Sequence, residues 1–85
     1  MRIDKFLKNA RIIKRRTVAK EACDGGRVEI NGRPAKAGSE VVEGDRVKIS
    51  FARGPLYFRV EATPELVKKD QAESLYTPIE EGDYE

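Results

Sequence analysis

Lys14-Arg15-Arg16 stands just ahead of an apolar pattern, Val18-Ala19 and then Ala22-Cys23, that repeats at helical spacing. Cations at the start of a helix suit one kind of chemistry, the grip of phosphate. Arginine presents a planar fork of donors that meets two anionic oxygens at once. A helix N-terminus adds free backbone amides and the positive end of the helix dipole. Arg15 and Arg16 therefore rank first as binding residues. A second basic set precedes them. Ile3, Phe6, Leu7 and Ala10 fall at i, i+3, i+4 and i+7, the buried stripe of a helix. Lys5, Lys8 and Arg11 lie off that stripe, and Arg2 stands beside its start.

Charge along the chain supports this reading. The 85 residues carry a net charge of +2, but it is unevenly spread. Residues 1–36 hold eleven Lys or Arg against four acids, residues 37–62 hold four of each, and residues 63–85 hold two against seven. A basic front and an acidic end point to polyanion binding through the front. Other chemistry has little material. The chain has no histidine and one cysteine, Cys23, so neither an internal disulfide nor a clustered zinc site is expected. No nucleotide-binding loop is present, and no cofactor, metal or catalytic residue is expected. Arg2, Asp4 and Lys5 near the start leave no long apolar run, so neither a signal peptide nor a membrane span is expected. The expected compartment is a reducing cytoplasm.

The elements that position these cations follow from pattern. The first helix breaks at Ile12-Ile13. The second ends at Gly25-Gly26, where glycine takes a left-handed conformation cheaply. Its start is open between Thr17 and Lys14 as the capping residue, and both place Arg15 and Arg16 near the helix N-terminus. Lys20 adds a cation from this helix. Arg27-Val28-Glu29-Ile30 alternates as a half-buried strand, and Asn31-Gly32 is a strong hairpin signal. The return strand carries Pro34, which suits a sheet edge. Arg46 to Phe51 is an alternating strand, Gly54-Pro55 marks a turn, and Leu56 to Glu61 is a further strand.

Thr63-Pro64-Glu65 reads as a helix start, predicting a helix over residues 64–76 that Pro78 ends. Residues 79–85 are acidic and expected to be disordered. Composition and spacing make the basic front a candidate RNA-binding face, and the tail is expected to solubilise the chain, to bind a protein, or to compete with RNA for that face. Asp4 within the basic patch is expected to favour the helix dipole and orient a neighbouring Arg or Lys. Direct contact with an RNA hydroxyl is the other option. Thr17 is expected as a cap or an RNA ligand, Asn31 and Lys36 as secondary RNA contacts, and Cys23 as a small core residue. Of Tyr57 and Phe58, one is expected in the core, leaving the other able to stack on a base.

Five runs in order carry a family resemblance. They are Arg2-x-Asp4-Lys5-Phe6-Leu7, Arg11-Ile12-x-Lys14-Arg15-Arg16-Thr17-x-Ala19, Gly26-Arg27-Val28-x-Ile30-Asn31-Gly32, Lys36, and Val42-Glu43-Gly44-Asp45-x-Val47. Together they resemble the S-four-type RNA-binding domain, named for the fourth protein of the small ribosomal subunit. The resemblance implies an α+β fold, with two N-terminal helices packed on a short antiparallel sheet and a basic helical face toward structured RNA. It implies a binding domain over residues 1–62 and an extension over 63–85.

The brevity of the chain and its short acidic end are similar to the ribosome-associated quality-control branch of the family, a relative of heat-shock protein fifteen. A long basic C-terminal extension, typical of the heat-shock relative, is absent from this sequence. The resemblance to the quality-control branch implies a non-enzymatic, monomeric factor. Its implied partners are large-subunit ribosomal RNA, the peptidyl-tRNA left on a stalled subunit, and the protein RqcH, which recruits alanyl-tRNA for alanine tailing without mRNA. Arg2, Lys5, Lys8, Arg11, Lys14, Arg15, Arg16, Thr17, Lys20, Asn31 and Lys36 form the expected RNA-binding set. The alternatives are a recycling factor that moves the stranded tRNA, and a protein adaptor with no RNA role.

Overall fold

A computed structural model describes residues 1–84. Helix α1 (Ile3–Asn9) forms on the expected apolar stripe, burying Ile3, Phe6 and Leu7 completely. No side chain caps its start. A distant loop satisfies two first-turn amides instead, since Ile3 N–H donates to the Ser39 carbonyl (2.8 Å) and Asp4 N–H to the Ala37 carbonyl (3.3 Å). The chain leaves α1 through Arg11, whose φ of 59° is left-handed.

Helix α2 (Arg16–Asp24) begins earlier than a Thr17 cap would allow. Arg15 occupies the capping position with extended backbone, and Thr17 is exposed inside the first turn. Neither Thr17 nor Lys14 is the cap. The inward stripe is also narrower than expected. Ala19 and Cys23 are fully buried, Ala22 is half-buried, and Val18 is 47% exposed because it sits one position off that face. The helix ends at Gly25-Gly26 as expected, with Gly26 at φ 81°.

Five antiparallel strands form one sheet in the order β2-β1-β3-β4-β5. They are β1 (Val28–Ile30), β2 (Arg33–Pro34), β3 (Arg46–Phe51), β4 (Gly54–Val60) and β5 (Tyr76–Pro78). Asn31 (φ 53°) and Gly32 (φ 84°) make the β1–β2 turn, and Pro34 lies on the edge strand. The β3–β4 turn is Ala52-Arg53 instead of Gly54-Pro55, since Phe51 already faces Gly54 and Ser50 faces Pro55. Pro55 is tolerated inside β4 because Ser50 turns its N–H to the Arg27 carbonyl (2.9 Å), so the Ser50–Pro55 pair needs no ladder bond from proline.

The two helices cover one sheet face. Ile3, Phe6, Leu7, Ala19 and Cys23 meet Val28, Val47, Ile49, Phe58 and Val60, and the Phe6 and Phe58 rings stack at 6.1 Å. Burial first, then the Asp4 and Asp24 charges, push the Cys23 thiol up to about 11. It is a protonated core residue.

The C-terminal part differs from expectation. No helix spans residues 64–76; an extended run leads to a 3-10 helix, Lys69–Leu75, and then β5. Ala72 and Leu75 are buried, and the Leu75 carbonyl accepts from both Glu61 (2.8 Å) and Ala62 (3.4 Å). The unpaired edge of β4 draws this segment back, and β5 satisfies it. Pro78 therefore closes an edge strand and ends no helix. Residues 79–84 are ordered too. Helix α3 (Glu81–Tyr84) lies over the opposite sheet face, with Tyr84 only 8% exposed. Its hydroxyl donates to Glu29 Oε1 (3.0 Å) and accepts from Gly32 N–H (2.8 Å), which composition alone does not reveal. Glu85 lies outside the described residues. Among those described, no helix is long and apolar enough to cross a membrane.

Candidate nucleic-acid interface

Asp4 organises the basic face. It sits in the first turn of α1 and is 2% exposed. Arg2 Nε donates to Oδ1 (3.2 Å) and Arg2 Nη2 to Oδ2 (3.3 Å). Arg16 approaches from α2, with Nε 3.4 Å from Oδ2 and Nη2 3.5 Å from Oδ1. The Lys5 amide donates to Oδ1 at 2.8 Å. Burial alone would push the Asp4 carboxyl up. The Arg16 hydrogen bonds, the Lys5 amide and the charges of Arg16 and Arg2 outweigh it, holding the carboxyl below its ordinary value. Asp4 is thus ionised at neutral pH.

The result is a pair of oriented guanidinium groups. Arg2 and Arg16 remain about half exposed while one edge of each is held by Asp4. Two long side chains with many rotamers are thereby fixed before any ligand arrives, which lowers the ordering cost of binding. This matches the expected role of Asp4 as an orienting acid. Next to them, the start of α2 has no side-chain cap and no acid in its first turn. Arg15 and Thr17 are exposed there. Positive residues beside the positive end of a helix dipole are unfavourable without an anion, and a phosphate reverses that sign.

Other expected residues are placed differently. Lys5 is ion-paired with Glu65, so it is not a free cation. That contact also holds the Glu65 carboxyl below its ordinary value. The pairing is hidden in the sequence because Thr63-Pro64-Glu65 reads as a helix start, not as a strap across α1. Lys8, Arg11 and Lys14 are exposed and line a groove beside the 3-10 helix. Lys20 and Lys36 are exposed on α2 and on the loop after β2. Asn31 is committed to the hairpin, as its Nδ2 donates to Asp45 (3.1 Å) and its Oδ1 accepts from Arg46 N–H (2.9 Å). Phe58 is the core aromatic of its pair, and Tyr57 is no free stacking platform. Tyr84 covers it at 5.4 Å, with Lys48 over the ring at 5.9 Å.

Comparison with known proteins follows the same lines. Residues 1–47 match the S4 domain family. The RQC P-site tRNA stabilizing factor of Halalkalibacterium halodurans is 49% identical over 76 residues, covering 89% of this chain and 86% of that protein. The factor of the same name from Bacillus subtilis is 46% identical over 81 residues, covering 95% and 94%. Among solved structures, the trimeric structure of Vibrio cholerae Heat Shock Protein 15 superposes with a TM-score of 0.85 at 28% identity, covering 93% of this chain and 81% of that one. The α+β architecture and these relatives agree: the chain belongs to the S4 domain family, among the RQC P-site tRNA stabilizing factors.

Proposed function

We propose that this protein stabilises tRNA on the large ribosomal subunit during ribosome-associated quality control, acting by binding and not by catalysis. The observation that carries the reading is the pair Arg2 and Arg16, locked by buried Asp4 and presented beside the uncapped start of α2. The names of the relatives supply the RNA, a P-site tRNA. Phosphate contacts from Arg2, Arg15 and Arg16, with Lys20 alongside, fix position. RNA shape supplies most of the discrimination. Residues 1–62 carry this face, residues 63–85 extend it, and the factor works as a monomer associated with cytoplasmic ribosomes.

Holding the tRNA in place supports addition of alanine to the stalled chain by RqcH. Arg16→Ala is expected to weaken binding of tRNA-bearing large subunits and to lower the yield of alanine-tailed peptides in a reconstituted reaction. Unchanged tailing on removal of the whole protein would contradict this role. The likeness to Heat Shock Protein 15 favours one other reading, a recycling factor that moves the stranded tRNA without supporting elongation. The same assay separates the two, because omitting a recycling factor would not lower the yield of alanine-tailed peptides.

A further inference from the structure

We propose that Lys68 and Lys69 join Lys8, Arg11 and Lys14 in a second RNA-phosphate site, a groove between the end of α1 and the 3-10 helix. The inference rests on the RNA-binding reading and assigns that interface a second grip. The groove has a volume of about 280 Å³ and draws cations from both parts of the chain. Among the described residues, none of the five has a carboxylate within ion-pairing distance, in contrast to Arg2, Arg16 and Lys5. Asp70 and Glu73 line an adjoining pocket that shares Arg11, Lys69 and Ala72 with this groove, and neither lines the groove itself. Five converging unpaired cations repel one another, and a polyanion turns that cost into affinity.

Three further observations point the same way. Arg11 adopts φ 59°, a left-handed position after the helix where glycine fits without strain, yet a long cation stands there. Strain tolerated at a site-lining residue is expected where its side chain is needed. Asn9 lines the same groove, and its Nδ2 is buried with no acceptor. The segment carrying Lys68 and Lys69 is also held in place. Lys5 clasps Glu65 at one end, buried Ala72 and Leu75 anchor the other, and the Lys68 amide donates to Gln71 Oε1 (3.3 Å). Lys14 runs in sequence straight into Arg15 and Arg16, a track of three consecutive exposed cations that links the groove to the first grip. RNA backbone is the occupant favoured here, because such a track matches a chain of regularly spaced phosphates.

Titration of purified tRNA with the full chain at several salt concentrations tests this, using Lys68→Gln/Lys69→Gln, Arg11→Gly and Arg16→Ala. Lys68 and Lys69 are exposed, so the double variant is expected to fold normally. It should flatten the salt slope by about 2 and weaken binding roughly tenfold or more at about 0.15 M salt. Arg11→Gly should weaken binding several-fold while its Tm stays the same or rises, because glycine relieves the strained φ. If Arg16→Ala weakens binding and neither groove variant does, the second site is refuted and the first grip stands. If none of the three changes affinity, the RNA reading fails and the groove proposal falls with it.

Discussion

At the residue scale, Asp4 separates an ordered basic surface from a merely charged one. Its carboxyl is held below the ordinary value, so the sign of its linkage to folding is fixed. A depressed carboxylate contributes stability that is fully present above its unfolded value and is lost as pH falls through its folded value. Thermal unfolding followed from about pH 5 down to about pH 2 should therefore show a steeper loss in the native chain than in Asp4→Asn. Equal slopes would mean that the Arg2 and Arg16 contacts contribute nothing to folding. The residues of this site are partly legible in sequence. Arg15 and Arg16 at a helix start, and Asp4 as an orienting acid, follow from spacing alone. The pairing of Arg2 and Arg16 through one buried carboxylate does not, because Asp4 and Arg16 are 12 residues apart on two helices. Lys5 reads as a free cation for the same reason, since its partner Glu65 is 60 residues away.

At the element scale, periodicity places both helices and the strands β1, β3 and β4, while the two-residue, fully exposed β2 is placed by the Asn31-Gly32 turn. Elements after residue 62 are not readable this way. The 3-10 helix has only Ala72 and Leu75 to bury, and β5 exists because β4 offers an open edge. Helix α3 is short and acidic, and depends on one aromatic residue. Tyr84→Phe removes its hydrogen bonds to Glu29 and Gly32, and should cost about 1–2 kcal/mol in denaturant unfolding. A loss near zero would show that ring packing against Tyr57 alone holds α3. The junction between helices and sheet contributes more to stability. Phe58→Ala empties a fully buried ring site that stacks on Phe6 and should cost about 3–5 kcal/mol. A cost well under that range would place the main core elsewhere.

At the scale of the whole molecule, charge is divided between a basic front and an acidic end, yet the two are not simply opposed. Glu65 secures the strap that carries Lys68 and Lys69, so part of the tail contributes cations to the same side as α1. If about five phosphates are neutralised, log affinity for tRNA should fall with log salt at a slope of roughly −4 to −5. An affinity insensitive to salt would contradict phosphate binding altogether. Orientation and net charge make opposite predictions for one substitution, which gives the most direct test. Asp4→Asn raises the net charge from the +2 of the native chain by one unit, so a surface acting through charge alone should bind RNA more tightly. The decisive measurement is the dissociation constant of the native protein and of Asp4→Asn for large subunits carrying P-site tRNA, at one salt concentration and with folding verified by Tm. Binding weakened about tenfold, as expected when two arginine forks lose their common anchor, is the predicted result. Equal or tighter binding by a folded Asp4→Asn would contradict the account.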